Sequence, residues 1–308
     1  DSVTTQAWRT VAAGYDSRMN DIVQDFGWYD LFLVHTDGDI VYTVSRESDL
    51  GMIIPDSSLR GSPLGKAFAS AEKAGSDEIV VADFAPYEPS GGEPAGFMMA
   101  QMRRGSGELL GYGGMQIPID KISAIVAERS GMGETGESYL VGPDRLMRSD
   151  SYLDSAGHSV AASFANNTTV NTEAVRQALS GTEDSKVIQD YNGKPVLSSW
   201  APIDVGNGIR WAIISEIDVA EAFCPKDNQG RYYYEKYIEQ YGYYDLFLLN
   251  PDGFVFYTVS READYQTNMV NGTYSDSNLG RLVQSILQSR SFGFADFAPY
   301  APSGGAPA

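Results

Sequence analysis

The chain has 308 residues, with 22 Lys and Arg against 41 Asp and Glu, a formal charge of −19. Such a surface repels phosphate backbones and anionic headgroups, which excludes nucleic acid as a partner; the acids are spread rather than blocked, as for solubility or adaptation to salt. With 43% hydrophobic and 12% aromatic residues the sequence is not disordered and supports two or three domains, and no apolar run reaches the roughly 18 residues that cross a bilayer.

The first segment predicts a helix, because Trp8, Val11, Ala12, Tyr15, Met19, Ile22 and Phe26 recur at three- and four-residue steps and Gly27 ends the pattern. Residues 30–47, DLFLVHTDGDIVYTVSRE, then predict a β-hairpin: an apolar run of strand length, a turn with Gly38 where φ can be positive, and a β-branched and aromatic second strand. Ser62-Pro63 supplies an N-cap and first position for a short helix that Gly75 can end. Strands follow at residues 79–84, 97–102 and 109–117, with a turn-rich loop from Pro86 to Pro94. Antiparallel strands with a helix inserted after the second make an α+β, PAS-like module, here module A.

Ile119, Ile122, Ile125 and Val126 mark a connecting helix. Gly131-Met-Gly133-Glu-Thr-Gly136 fits the G-x-G-x-x-G dinucleotide pattern, but it follows a helix and precedes a strand, the reverse of the order that places a pyrophosphate at a helix N-terminus; it reads as a linker. Module B repeats the plan: strand, turn and strand over residues 137–149, a helix at 171–179 ended by Gly181, then strands at 187–191, 196–203 and 209–217, the last two joined by Val205-Gly-Asn-Gly208.

The hairpin returns at residues 245–262 as DLFLLNPDGFVFYTVSRE, and ADFAPYEPSGGEPA of residues 82–95 returns at 295–308 as ADFAPYAPSGGAPA. A repeat so widely spaced is a duplicated domain-sized unit rather than a solenoid. A helix carrying Tyr234, Tyr237, Ile238 and Tyr241 precedes the second copy, as the first helix precedes the first. The expected organisation is a long helix (1–26), module A (27–127), module B (128–223), and a helix with an incomplete second copy of A (224–308). In that copy residues 254–259 and 292–297 are expected to present open edges and bare apolar surface.

Catalytic patterns are absent from the sequence. His35 and His158 are the only histidines, without metal-ligand spacing, and His35 occupies a turn where the repeat has Asn250. The single Cys224 allows no disulfide within the chain and reads as a structural thiol. There is no G-x-S-x-G, P-loop or H-E-x-x-H, and Glu47 with Asp49, beside Arg46, reads as a solvated or salt-bridged loop. No enzyme activity, cofactor or metal is expected. Asp83-Phe-Ala-Pro-Tyr87, repeated at 296–300, places an acid and two rings on a proline-bent loop, which suits a small polar ligand; equally, Phe84 and Tyr87 can be core and Asp83 a loop cap.

The order of long helix, YYDLFL-type strand, DG turn, second strand, ADFAPY strand, Gly107-Glu-Leu-Leu-Gly111, QIPID and GETGESYLVGPD (residues 133–144) resembles the double Cache (dCache) sensor domains of bacterial chemoreceptors, histidine kinases and cyclases. GETGESYLVGPD is the most specific piece; the likeness covers one double unit to about Phe223 and the start of another from about Tyr232. It implies tandem PAS-like modules, each an antiparallel five-stranded sheet with flanking helices, preceded by a long N-terminal helix. It implies a periplasmic or extracytoplasmic sensing domain of a membrane-anchored receptor, with module A membrane-distal and holding a small polar organic ligand, module B proximal, and a homodimer formed through the long helices. Members that bind amino acids carry an R-x-W-Y motif entering the short helix; here Leu59-Arg60-Gly61-Ser62-Pro63 keeps Arg60 without the aromatic pair, which argues against an amino-acid ligand. Alignment with the family makes Arg60, Asp83 and Tyr87 the converging ligand contacts, with Tyr42 and Met99 as walls. The reading from another class is a secreted or surface adhesion or assembly module whose repeats are structural.

Overall fold

The computed structural model describes residues 2–224 and 226–308. The chain divides into two compact units: Asp1–Arg129 with Glu137–Asp184 and Trp200–Ser215, and Ser130–Gly136 with Ser185–Ser199 and Glu216–Ala308.

The first unit opens with α1 (Gln6–Phe26), capped where the Thr5 hydroxyl accepts the Trp8 N–H and closed by left-handed Gly27. Of its expected apolar stripe only Ala12 is buried, joined by Val23 from outside the stripe, while Val11, Tyr15 and Phe26 are 62%, 54% and 66% exposed. The stripe is wider than the surface it meets, which around Trp8 and Met19 consists of Leu33, Val41 and Tyr42.

β1 (Asp30–Val34), β2 (Ile40–Thr43), β3 (Ile79–Pro86), β4 (Pro94–Arg103) and β5 (Leu109–Gln116) form an antiparallel sheet in the order β2-β1-β5-β4-β3, the order of a PAS-like module. One face carries Phe32, Val34, Ile40, Phe97, Met99 and Tyr112 against Leu64, Ala67 and Phe68 of α2 (Pro63–Ala71). The sequence signal for α2 is met literally: Pro63 opens the helix and the Ser62 hydroxyl accepts the Gly65 N–H. The helix stops short of Gly75 because the Gln101 side-chain amide takes the carbonyls of Ala71 and Ala74.

Gly38 has φ 92°, and a Cβ there would sit 2.5 Å from Pro55 Cδ. Gly38→Val combines a strained backbone with a clash against a proline ring, so it should destabilise the first unit by about 1–3 kcal/mol. An unchanged thermal midpoint would contradict this.

After α3 (Ile119–Val126) come β6 (Glu137–Val141), the short α4 (Ser155–His158) and α5 (Val160–Asn166), α6 (Glu173–Ser180), β7 (Asp184–Gln189), β8 (Pro195–Gly206) and β9 (Ile209–Asp218). Their sheet runs β6-β9-β8-β7 and has four strands, not the expected five. The missing strand is the one expected at 145–149. There the Asp144-Arg145 turn returns the chain for a single bridge, Val141 to Met147, after which the buried Arg148 side chain turns to acids outside the sheet. Asn207 and Gly208, at φ 52° and 74°, make the β8–β9 turn left-handed, as the Gly-Asn-Gly sequence predicts.

In the second unit, α7 (Val219–Phe223) supplies Glu221, whose carboxylate accepts the backbone N–H of Glu134 and of Thr135, each at 2.7 Å. The glycine-rich hexamer thus holds an anion of its own chain, in keeping with a linker. α8 (Tyr233–Tyr241) leads to β10 (Phe247–Leu249) and β11 (Val255–Thr258), which pair with the same register irregularity as β1 and β2, and then to α9 (Asn278–Ser289). The expectation of bare surface holds for one stretch and fails for the other. All of β11 is buried, because Phe256 and Tyr257 pack with Val219 and Cys224, whereas Phe292, Phe294 and Phe297 are 94%, 80% and 77% exposed. Among the described residues no helix is long and apolar enough to cross a membrane.

Candidate functional site

The polar centre of module A lies where β1 begins and the loops after β2 and β3 meet. Asp30 Oδ1 accepts the backbone N–H of Leu31, Val44 and Ser45, tying the exit of β2 to the start of β1. The Tyr87 hydroxyl donates to Asp49 Oδ2 at 2.6 Å, and both side chains are fully buried. Glu47 joins the two loops by accepting from the Tyr29 hydroxyl and from the Ser90 hydroxyl, each at 2.8 Å. The second copy repeats the arrangement: Tyr300 donates to Asp264, Tyr244 and Ser303 to Glu262, and Asp245 accepts from Val259 and Ser260.

Burial pushes the Asp30 carboxyl up to about 6, and the nearby charge of Asp49 adds to the effect. Burial raises Asp49 as well, and it raises Tyr87 well above the ordinary phenol range. Among the described residues Oδ2 of Asp30 and Oδ1 of Asp49 have no hydrogen-bond partner, and Arg46 turns away to Asp16 at 2.7 Å. A carboxyl whose folded pKa is raised favours folding below its unfolded value near 4 and loses that advantage as pH rises through about 6. Asp30→Asn should therefore flatten a stability decline of about 3 kcal/mol between roughly pH 4 and 6.5 in urea titrations of the full chain. An unaltered pH slope would show that Asp30 is ionised throughout.

The five residues singled out by sequence do not converge. Tyr87 and Met99 lie in the core cluster between sheet and α2, together with Leu59, whose neighbour Arg60 is exposed on the turn Ser58–Gly61. Asp83 belongs elsewhere: the pairing of β3 with β4 shifts register between Ala82 and Ala85, so Asp83 leaves the face that Ala82 and Tyr87 share. Its carboxylate takes Arg148 Nε at 2.8 Å and Nη2 at 2.9 Å, and the Trp211 indole N–H at 3.1 Å. The Arg148 side chain is 1% exposed, and Asp144 also binds it at 2.9 Å. Burial pulls this guanidinium down, but the bonds and charges of Asp83 and Asp144 more than offset that and raise it. Tyr42 points toward α1, where its hydroxyl donates to Asp16 at 2.8 Å; the irregularity between Leu33 and Val34 lets Ile40 face the core while Tyr42, opposite Leu33, faces the helix.

The sequence does not single out Tyr29, Asp30 or Ser90 as site residues, and it places Glu47 and Asp49 in a solvated or salt-bridged loop. Asp49 is fully buried, not a solvated loop acid, because Tyr87 receives it inside the fold. A signal was present: each of these polar residues recurs in the second copy while the neighbours Leu50, Gly51 and Met52 become Tyr265, Gln266 and Thr267.

No protein-family model matches the sequence, and no curated protein matches it. Solved structures resemble it at a distance. The ligand-binding domain of the Pseudomonas fluorescens chemoreceptor CtaA, in complex with L-serine, is 15% identical, covers 67% of this chain and 79% of its own, and has a TM-score of 0.43. The ligand-binding domain of the Pseudomonas aeruginosa amino-acid chemoreceptor PctB, in complex with L-Arg, is 15% identical over 70% of this chain and 84% of its own, with a TM-score of 0.43. A histidine kinase extracellular domain, rpHK1S-Z16, is 10% identical over 68% of this chain and 78% of its own, with a TM-score of 0.47.

Proposed function

We propose that this chain is the extracytoplasmic small-molecule sensing domain of a bacterial transmembrane signalling receptor, with module A as the ligand-receiving part and no catalysis of its own. The observation that carries the reading is module A itself: a PAS-ordered sheet whose one face is roofed by the segment bearing Leu59 and α2, closed at its end by buried acids and Tyr87. The ligand is a small polar organic molecule between that roof and the sheet, with Arg60 at the rim and Tyr87 and Met99 behind. Asp83 and Tyr42 act indirectly, Asp83 by joining β3 to the module B residues Arg148 and Trp211, Tyr42 by joining β2 to α1. Ligand binding closes the roof and shifts a population between two arrangements of α1 and module B, which needs a few kcal/mol of differential affinity. The exposed Val11 and Tyr15 of α1 support a homodimer through the long helices, and a membrane anchor belongs to the whole receptor.

The test is a thermal-shift screen of the full chain with dicarboxylates, biogenic amines and amino acids, followed by calorimetry on hits. At least one compound should raise the midpoint and bind one per module A, and Arg60→Ala, a surface change, should weaken it about tenfold, or about 1.4 kcal/mol. A screen without a shift would favour the adhesion or assembly reading, in which the twice-built acid and tyrosine network serves only to hold loops.

A further inference from the structure

A row of side chains crosses the core face of module A at the end where β1 begins. Asp30 of β1 stands opposite Gln116 of β5, and Gln116 stands opposite Phe97 of β4, so the three share that face. Tyr87 packs edge-on against Phe97 at 4.9 Å and brings Asp49 to the row through its hydroxyl. Two acids and an amide are thereby gathered inside the fold: Asp30 and Asp49 are 0% exposed and Gln116 is 5% exposed.

Each acid is held by one oxygen only. Asp30 Oδ1 accepts the three backbone N–H groups already described, and Asp49 Oδ2 accepts the Tyr87 hydroxyl. Among the described residues the other oxygens, Asp30 Oδ2 and Asp49 Oδ1, and the amide oxygen of Gln116 have no hydrogen-bond partner. The second copy repeats the two acids, with Asp245 Oδ2 and Asp264 Oδ1 likewise unpartnered among the described residues. Buried acceptors without donors are costly, and three of them on one row call for a positive group. A proton shared by the two carboxyls would leave the Gln116 oxygen without a donor, whereas a cation serves all three.

We propose that Asp30, Asp49 and Gln116 form a calcium site in the core of module A, one that does not require the small-molecule ligand. Among the described residues no three acids, histidines or cysteines gather as a metal site; here the amide oxygen completes the set, from a strand far along the chain. Carboxylate and amide oxygens are hard donors and select Ca2+ over the softer transition metals, and the two carboxylates balance its charge. Mg2+ keeps several waters in a near-ideal octahedron, which a closed core opposes. The bonds that hold Asp30 Oδ1 and Asp49 Oδ2 orient the remaining oxygens, as outer partners of metal ligands do. Water fills the other positions, and so short a protein set gives an affinity of about 0.1 to 1 mM.

The experiment titrates CaCl2 into the chelator-stripped 308-residue chain by calorimetry at pH 7 and about 0.15 M KCl, where surface charges are screened beyond about 8 Å. Ca2+ should bind in that range and raise the thermal midpoint, and Mg2+ should bind at least tenfold more weakly. Asp30→Asn, which keeps an acceptor for Leu31, Val44 and Ser45, and Gln116→Leu should each weaken Ca2+ at least tenfold. On the unaltered chain Ca2+ should slow amide exchange at Leu31, Val44 and Ser45, a readout that does not depend on the variants folding. No Ca2+ binding up to about 10 mM, well above the expected range, would overturn the proposal. So would equal binding of Mg2+, an affinity unchanged in both variants, which would place the ion on surface acids, or slowed exchange only at other residues.

Discussion

Asp83→Ala should cost the first unit about 3–5 kcal/mol, because it leaves Arg148 buried and without its principal partner. Four hydrogen bonds end on that carboxylate, two from Arg148, one from Trp211 and one from the Phe84 backbone N–H, and a guanidinium whose side chain is 1% exposed cannot turn to water for replacements. Asp144 remains, but its own side chain is 42% exposed, so it offsets part of the loss only. The second copy provides a control within the same molecule: Asp296 has the same sequence neighbours as Asp83, lies exposed, and Asp296→Ala should change stability by no more than about 0.5 kcal/mol. The double variant Asp83→Ala with Arg148→Met should recover most of the loss, as removing a buried pair together often does. Tryptophan-monitored unfolding in urea at pH 7 reads all three. Equal effects of the two Asp substitutions would contradict the buried pair.

Tyr87→Ala should be comparably damaging, by about 3–5 kcal/mol, since it empties a fully buried aromatic site beside Phe97 and strands Asp49. Tyr87→Phe keeps the packing and removes only the hydroxyl that donates to Asp49, and should cost about 1–3 kcal/mol. Because Tyr87 is fully buried, Tyr87→Ala reports on the fold before it reports on any ligand. Binding studies therefore need Tyr87→Phe. Thermal melts of both variants at pH 7 check the ranking, and equal losses would show that the ring contributes nothing beyond its hydroxyl.

Local signals were legible and long-range ones were not. The hairpin around Gly38, the Ser62-Pro63 start of α2 and the Gly-Asn-Gly turn before β9 each depend on a few adjacent residues whose chemistry admits one backbone path, and each forms as expected. The partner of Asp83 stands far along the chain, in a turn of module B, and nothing in DRLMRS marks Arg148 rather than Arg145 as buried. The same ion pair explains why a strand expected at 145–149 does not form. The network of Asp30, Glu47 and Asp49 was hidden differently: acids near a strand end ordinarily sit in water, and only Tyr87, Tyr29 and Ser90 arriving from other segments make these internal. Periodicity on α1 identified the helix but not how little of its apolar face the sheet would cover.

The central claim is that module A holds a small polar molecule, and native mass spectrometry of the gently purified full chain tests it most directly. The account predicts one small-molecule adduct per chain, retained by Asp296→Ala and lost or strongly reduced in Arg60→Ala. A bare chain that stays bare when the compounds of the thermal screen are added, or an adduct indifferent to Arg60→Ala, would contradict it.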